Sequence, residues 1–255
     1  MDDYHDVIDE VKGAIIVVPH FLHHSIAMDF LEAGVAVLCE KPLAESPHQA
    51  REMIESAQVH NTVLCVNNTR RMFPSFQAVK DIISRGEIGR LRSIAYTEGN
   101  AFAWPSTTGF YVNPQVSSKG VVLDIGPHVL DTLCWWLGGR PLLERCEDDS
   151  FGGPESIVKI RARHGGCTLD IILNRLCDLA NTYRVEGELG TVEGEIFEWG
   201  TIRLRSSTGG VQQRKLNNPI KNYPGFVVPI VDNFIQVLKG RSAPLVDGSD
   251  VLDSL

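Results

Sequence analysis

Two groups of residues in this sequence have side chains of the kinds that transfer protons and stabilise charge on an oxygen atom. Lys41 stands between Glu40 and Pro42, directly after a hydrophobic run. An ammonium group at such a position stabilises negative charge that develops on a hydroxyl oxygen. Asp124 and His128 are four residues apart, which places both side chains on one face of a helix. A carboxylate beside an imidazole fixes its tautomer and suits it to general acid–base catalysis.

Spacing alone leaves simpler alternatives open for both groups. Lys41 is also explained as a surface lysine, and Asp124 with His128 as an ordinary pair near a helix start. Gly126 and Pro127 lie between those two residues, and a proline removes one backbone hydrogen bond and bends a helix. Departures from good helix sequence concentrate at functional sites, which favours a chemical role for this segment.

The first 70 residues alternate between strand and helix patterns. Continuous hydrophobic runs predict buried strands at 13–18, 35–39 and 62–67. Helices are predicted between them, at 23–33 and from Pro47 to about His60. This order implies a parallel sheet. Ligands of such sheets bind beyond the carboxyl ends of the strands, which are residues 19–23, 40–42 and 67–71.

After residue 70 the pattern changes. Helices are predicted at 74–85, 120–137 and 225–240. A loop rich in aromatic residues covers 101–118, and strands then follow one another without helices between them. The predicted strands are 90–99, 142–147, 156–163, 167–175, 182–188, 191–197 and 201–205. The sequence therefore predicts an α/β fold: a parallel sheet followed by an α+β domain with a large mixed or antiparallel sheet.

The composition argues against several classes of partner. A net charge of −8 without a basic run argues against nucleic acid. No hydrophobic stretch reaches the roughly 20 residues of a membrane helix, and the acidic start is unlike a signal peptide. The six cysteines form no C-x-x-C and no zinc spacing with histidines. We therefore predict no metal site, free thiols and a cytoplasmic location.

Five motifs, in order along the chain, resemble those of the Gfo/Idh/MocA oxidoreductases. The strand-end motif E-K-P matches Glu40, Lys41 and Pro42, and the earlier motif I-A-T-P-x-x-x-H is matched in part by "IIVVPHFLH", with Pro19 and His23 in register. The other matches are R-F-x-P with "RMFP" (71–74), G-G-G-x-x-x-D-x-G-x-H-x-x-D with "SKGVVLDIGPHVLD" (118–131) and F-x-x-x-I-x-x-G-x-x-P-x-V-x-G-x-D with "FIQVLKGRSAPLVDGSD" (234–250).

The resemblance implies hydride transfer between NAD or NADP and a hydroxyl or carbonyl of a sugar, cyclitol or related polyol. It implies that Lys41 contacts the reacting oxygen and the nicotinamide ribose, that His128 exchanges the substrate proton, and that Asp124 orients substrate or histidine. The implied cofactor-binding residues are Pro19, His23, Glu40, Lys41 and Pro42. The implied substrate-binding residues are Arg71, Trp104, Tyr111, Asp124 and His128, with loop anchoring as the alternative for the two aromatic residues.

The same resemblance sets the expected organisation and leaves two other functions open. Residues 1–70 are expected to form the C-terminal half of a dinucleotide-binding Rossmann domain. Residues 71–255 are expected to form an α+β substrate-binding domain that makes a homo-oligomer, a dimer or tetramer, through its sheet. A non-catalytic sugar-sensing or regulatory protein and an NAD-dependent glycosidase are the alternatives.

The sequence departs from the family pattern in one large respect. It contains no G-x-G-x-x-G, the turn that cradles the pyrophosphate, and it begins just before a strand that resembles the family's fourth. We therefore expect a fragment or shortened gene product, in which residues 13–18 form an exposed hydrophobic sheet edge. Smaller departures are Val18 for threonine, Lys119 within the glycine run, and Tyr111-Val112 for Trp-Arg.

Overall fold

The computed structural model describes residues 3–101, 103, 120–151 and 153–255. The predicted substrate contacts Trp104 and Tyr111 lie outside these residues. The chain divides into two compact units. The first unit is Met1–Met72 with Ile220–Leu255, and the second unit is Phe73–Pro219.

The first unit is built on a three-stranded parallel sheet, as predicted. Strands β1 (Gly13–Ile16), β2 (Ala36–Glu40) and β3 (Leu64–Asn67) lie in the order β1-β2-β3. Helix α1 (His23–Glu32) follows β1, and α2 (Pro47–Val59) follows β2. Ser46 caps α2, accepting a hydrogen bond from the backbone N–H of Gln49. The carboxyl ends of the three strands therefore lie at one edge of the sheet.

Both faces of this sheet are covered, which explains the continuous hydrophobic runs. On one face, Val37 and Cys39 belong to a buried cluster with Leu31 of α1 and Met53 of α2. On the other face, the buried cluster comprises residues of β2, β3 and the C-terminal helix α6 (Val228–Leu238), namely Ala36, Leu38, Cys65, Ile230 and Phe234.

The C-terminal segment is placed differently from the predicted division. The predicted boundary at residue 70 lies close to the break after Met72, but the residues from Ile220 onward belong to the first unit rather than the second. The physical reason is the apolar stripe of α6. Its residues Ile230 and Phe234 cover the sheet face that the crossover helices leave open.

Strand β1 lies at the edge of its sheet. Within the described residues it pairs with β2 alone. Ile15 is 52% exposed and Val17 is 69% exposed, so apolar side chains are present on or beside this edge. This agrees with the hydrophobic edge that the sequence predicted.

The second unit joins helices to an eight-stranded mixed sheet. Helix α3 (Pro74–Ser84) and strand β4 (Leu91–Gly99) come first, followed by α4 (Val121–Asp124) and α5 (Gly126–Leu137). The remaining strands are β5 (Leu142–Asp148), β6 (Ile157–His164), β7 (Cys167–Asn174), β8 (Thr182–Gly187), β9 (Gly190–Glu195), β10 (Thr201–Ser206) and β11 (Val211–Lys215). Their order is β11-β10-β9-β8-β4-β7-β6-β5. Only the β4–β7 pair is parallel among these described strands, so the sheet predicted as mixed or antiparallel is mixed.

An aromatic cluster fixes α3 and α5 on the inner face of this sheet. Phe76, Trp136 and Tyr183 meet edge to face, with ring centroids 5.2–5.5 Å apart. The Trp136 indole N–H donates to the carbonyl of Phe76 at 3.1 Å. Because these rings are buried, they anchor the helix that carries His128.

No helix in the described part of the chain has the length and hydrophobicity needed to cross a bilayer.

Candidate active site

The carboxyl edge of the parallel sheet is held together by Glu40. This residue ends β2 and is paired in register with Asn67, which ends β3. The Glu40 carboxylate accepts hydrogen bonds from the side-chain amide of Asn67 and, at 3.2 Å, from the backbone N–H of Lys41. The backbone from which the Lys41 side chain projects is therefore tied to two strands. The Lys41–Pro42 peptide bond is cis.

His23, a predicted cofactor contact, uses its ring on the chain's own backbone. Its side chain is only 1% exposed. Nδ1 lies 2.8 Å from the carbonyl oxygen of Pro42, and Nε2 lies 2.9 Å from that of Val18. Both partners are acceptors, so a neutral imidazole donates to one of them at a time. His23 thus joins the loop after β1, which contains Pro19, to the loop after β2.

Arg71, a predicted substrate contact, is anchored to the C-terminal segment. Arg71 is only 7% exposed. Its guanidinium donates a hydrogen bond to the carbonyl of Asp250 at 3.0 Å. A second guanidinium nitrogen lies 3.6 Å from the Asp250 carboxylate. Close by in sequence, the hydroxyl of Thr69 is 2.7 Å from that of Tyr223. The segment after β3 is therefore fixed by residues more than 150 positions away, which no local pattern reveals.

The second unit carries the predicted acid–base pair on two short helices. Asp124 is the last residue of α4, and His128 is the third residue of α5 and only 9% exposed. The predicted single helix breaks at Ile125 because Pro127 has no N–H to continue the ladder. Ile125 keeps right-handed helical angles (φ −89°, ψ −35°), so Asp124 and His128 remain about one turn apart. The hydroxyl of Thr132 donates to the carbonyl of His128 at 2.8 Å.

A shallow depression of ≈380 Å³ lies on the open face of the large sheet, between β5, β6 and β7. Its lining includes Arg145, Lys159, Arg161 and Asp170 and, among the described residues, none of the predicted site residues. Arg161 and Asp170 form an ion pair at 2.8 Å across the strands. Because these charges pair with one another, we assign the depression to the sheet surface and not to the chemistry.

The first unit has a parallel sheet with a lysine at its carboxyl edge, and the second unit has a mixed sheet and the predicted acid–base pair. These are the parts that the motifs led us to expect of a nicotinamide-dependent oxidoreductase. This chain belongs to the Gfo/Idh/MocA oxidoreductase family. Residues 1–68 match the family model described as "Oxidoreductase family, NAD-binding Rossmann fold". Residues 76–193 match the model of the "GFO/IDH/MocA C-terminal domain". The resemblance stated from the motifs is therefore confirmed.

Several relatives are sugar or cyclitol dehydrogenases and reductases by name. A 1,5-anhydro-D-fructose reductase of Ensifer adhaerens is 34% identical over 257 residues, covering 96% of this chain and 75% of the relative. A D-glucoside 3-dehydrogenase of Escherichia coli K12 is 31% identical over 141 residues, covering 54% of this chain but only 39% of the relative. An inositol dehydrogenase homologue of Azotobacter vinelandii, solved with NAD⁺, superposes with a TM-score of 0.83 at 18% identity, covering 100% of this chain and 78% of that one.

The edge of the parallel sheet fits one part of the dinucleotide that the family binds. The side-chain oxygens of Asn67 and Asn68 are buried and accept no hydrogen bond from the described residues. Buried acceptors without donors are costly, at about 1–3 kcal/mol each, so a bound group with hydroxyl or amide donors suits this edge. The ribose and carboxamide of a nicotinamide riboside have such donors. The glycine turn that would cradle a pyrophosphate is not among the 255 residues.

The sequence placed Asn67 and Asn68 at the ligand-binding edge, within 67–71, but assigned neither a role. The available signal was a pair of amides ending an otherwise hydrophobic run, next to the strand that ends in Glu40.

Proposed function

We propose that this chain takes part in hydride transfer between NAD or NADP and a hydroxyl or carbonyl group of a sugar, cyclitol or related polyol. The observation that carries the proposal is the lysine at the sheet edge, with its backbone held by Glu40 and thereby by Asn67. Asp124 and His128 of the second unit supply an acid–base pair. Anhydrofructose, glucosides and inositol, which the relatives' names give, are all polyhydroxylated.

The residues have distinct roles in this proposal. The Lys41 ammonium stabilises the negative charge that develops on the reacting oxygen. The His128 imidazole accepts the hydroxyl proton during oxidation and returns it during reduction, while Asp124 orients the substrate or the imidazole. When bound, the nicotinamide supplies the hydride acceptor or donor.

The other predicted site residues divide into contacts and supports. We assign Pro19, Glu40 and Pro42 to the cofactor edge, and Trp104 and Tyr111 to the walls of the substrate site. The side chains of His23 and Arg71 contact the chain's own backbone and a carboxylate. We therefore assign these two residues to positioning the segments around the site. In this assignment, the first unit binds the cofactor, and the second unit contributes substrate binding and self-association.

We further propose that the large sheet forms a homo-oligomer, a dimer in the simplest case, through its open face. Outward residues of β4 are small, such as Ser93 and Ala95, while the strands on either side carry cross-strand ion pairs. Such a flat, partly polar face suits a two-fold interface. The edge strand β5 is exposed along its length, with Leu142 73% and Leu143 59% exposed.

A cytoplasmic location is also proposed, without nucleic-acid or membrane partners. All six cysteines are thiols outside any disulfide, including the two on the surface, Cys146 and Cys177, as expected in a reducing compartment. The net charge of −8 disfavours phosphate-rich partners.

The test is a nicotinamide absorbance assay on the wild type and on Lys41→Met. The substrates are 1,5-anhydrofructose with NADH or NADPH, and myo-inositol or glucose with NAD⁺ or NADP⁺. Losing the ammonium should lower kcat by about 100-fold or more, since one electrostatic contact to a developing charge contributes that much. Lys239→Met is the matched control, because Lys239 is an exposed lysine of the same unit.

The outcomes separate the alternatives. Absorbance change that depends on Lys41 but not on Lys239 supports the dehydrogenase. Sugar binding measured by calorimetry without turnover identifies the sensing protein instead. Release of a leaving group from an aryl glycoside, with no net NADH, identifies the glycosidase.

A further inference from the structure

One glutamate holds the start of the helix pair that carries Asp124 and His128. The backbone N–H of Gly120 donates to both carboxylate oxygens of Glu155, at 3.0 and 3.1 Å. The N–H of Val122 donates to the same carboxylate at 2.8 Å, and the N–H of Val121 donates to the Glu155 carbonyl at 2.9 Å. Three consecutive amides at the start of α4 are thus satisfied by one residue.

The contact is so close that it requires glycine. A Cβ placed on Gly120 would lie 1.7 Å from the carbonyl oxygen of Glu155, inside any van der Waals separation. The Glu155 carbonyl oxygen belongs to the backbone, and a Cβ on Gly120 would be bonded directly to the backbone. No side-chain rotation therefore relieves the clash. Gly120 and Glu155 therefore form one unit, called here the Glu155 clamp.

The clamp sets the direction of a helix that cannot set its own. Helix α4 has four residues, and a single turn is marginal without outside support. Its backbone bonds run from Asp124 N–H to the Gly120 carbonyl at 3.2 Å and from Ile125 N–H to the Val121 carbonyl at 2.9 Å. The residue that ends this turn is Asp124, and His128 follows one turn later. A shift of the clamped amides therefore moves both side chains.

Glu155 is itself tied to the large sheet. The next two backbone N–H groups, of Ser156 and Ile157, donate to the Asp149 carboxylate at 2.7 and 2.8 Å. The carbonyl of Ser156 accepts from the Arg175 N–H at 3.0 Å. Ile157 begins β6, so the clamp transfers the rigidity of the eight-stranded sheet to the helix pair.

We propose that Glu155 is a positioning residue for the acid–base pair. Its carboxylate acts through the Gly120 and Val122 amides and touches neither substrate nor cofactor in this role. The inference rests on the proposed function of Asp124 and His128, and it adds a residue that neither the motifs nor the helix spacing contained.

The test compares Glu155→Ala and Glu155→Gln with wild type, with Glu198→Ala as the matched control. Glu198 also accepts a backbone N–H, that of Gly200 at 3.0 Å, within the same unit. Glu155→Ala should lower kcat by about 10- to 100-fold with KM changed less than about threefold, because misplacement of a catalytic group by about 1 Å costs that much. Glu155→Gln keeps an acceptor oxygen and should recover most of the rate.

A second readout does not depend on activity. The NMR signal of the His128 imidazole and the hydrogen exchange of the Gly120 and Val122 amides should change in Glu155→Ala and not in Glu198→Ala. If the wild type shows no turnover, the proposed function fails while this readout still decides the clamp.

Two results would overturn the inference. One is an unmoved His128 signal together with wild-type kcat in a folded Glu155→Ala. The other is loss of rate in Glu155→Ala that Glu155→Gln fails to recover although the amides remain protected. If Glu155→Ala does not fold, the same comparison is made between Glu155→Gln, which is then expected to shift the His128 signal slightly, and Glu198→Gln, which is not.

Discussion

Replacing His23 should loosen the sheet edge on which Lys41 stands. The imidazole fills a buried position between the carbonyls of Val18 and Pro42, at 2.9 and 2.8 Å. His23→Leu keeps a similar volume but removes the N–H donor that a neutral imidazole gives to these carbonyls. An orphaned buried acceptor costs about 1–3 kcal/mol, so we expect a loss of about 1–3 kcal/mol in the free energy of opening this unit. His23→Gln keeps an amide donor and should lose less.

The assay must report the first unit by itself. The three described tryptophans, Trp135, Trp136 and Trp199, all belong to the second unit, so their fluorescence does not serve. Cys39 and Cys65 lie in β2 and β3 and are buried. Burial raises the pKa of the Cys65 thiol to about 12 and also raises that of Cys39, so both are unreactive until the unit opens. Thiol labelling of these two residues, read by mass spectrometry, measures the open population.

The expected change in thiol labelling is large enough for the experiment to refute the prediction. A loss of about 1–3 kcal/mol increases the open population about 5- to 140-fold, since each 1.4 kcal/mol is tenfold. His60→Leu is the control, because His60 is an exposed histidine of the same unit that contacts the Ser56 carbonyl at 3.0 Å, and it should change stability by less than about 0.5 kcal/mol. Labelling of Cys39 and Cys65 within about threefold of wild type in His23→Leu would show that the imidazole does not hold the two loops.

Two further predictions concern a tyrosine and the sheet surface. The Tyr4 hydroxyl donates to Asp29 at 2.6 Å, and this bond, with a smaller contribution from burial, raises the pKa of Tyr4 to about 12. Because the folded value lies above the ordinary value of 10.0, the bond's contribution to stability is complete below pH 10 and is lost as pH rises towards 12. Urea unfolding across this range should be less pH-dependent in Tyr4→Phe, and an unchanged slope would contradict the assignment. Separately, Ala95→Glu places a charge in the middle of the open sheet face and should turn a dimer into a monomer in light scattering. Val59→Glu, on the exposed surface of α2, should leave the dimer intact. A wild type that is monomeric at micromolar concentration refutes the interface.

The fold could be predicted wherever hydrophobic periodicity and local stop signals agreed. Each of the three runs buried on both faces became a parallel strand, and Ser46-Pro47 began a helix as the capping rules require. The exception among strands is β11, whose sequence "VQQRK" has one apolar residue and is exposed. It forms because β10 offers an open edge, and edge pairing leaves little hydrophobic signal. The return of α6 to the first unit was likewise hidden, because an apolar stripe does not say which sheet it covers.

The candidate site could be predicted only as far as residue type and spacing reach. Lys41, Asp124 and His128 stand in the elements that the patterns indicated, and the bend at Pro127 was expected from its missing N–H. The supports were not predictable. Asn67 matters because it is in register with Glu40 across a strand pair, and Glu155 because its backbone meets Gly120 from 35 positions away. These relations exist only after the chain has folded.

The two most buried site histidines show where sequence reasoning ends. His23 and His128 both fall in family-like motifs near a helix start, and both are at least nine-tenths buried. The structure gives the His23 ring two backbone carbonyls, which removes it from chemistry and makes it a tie between loops. His128 instead follows the short helix α4, whose first amides donate to Glu155. The position of His128 therefore depends on a residue outside its own helix. The histidine assigned to support and the histidine proposed to act in the reaction therefore differ in their tertiary partners and not in their local sequence. This is why the decisive experiments change the partners as well as the histidines.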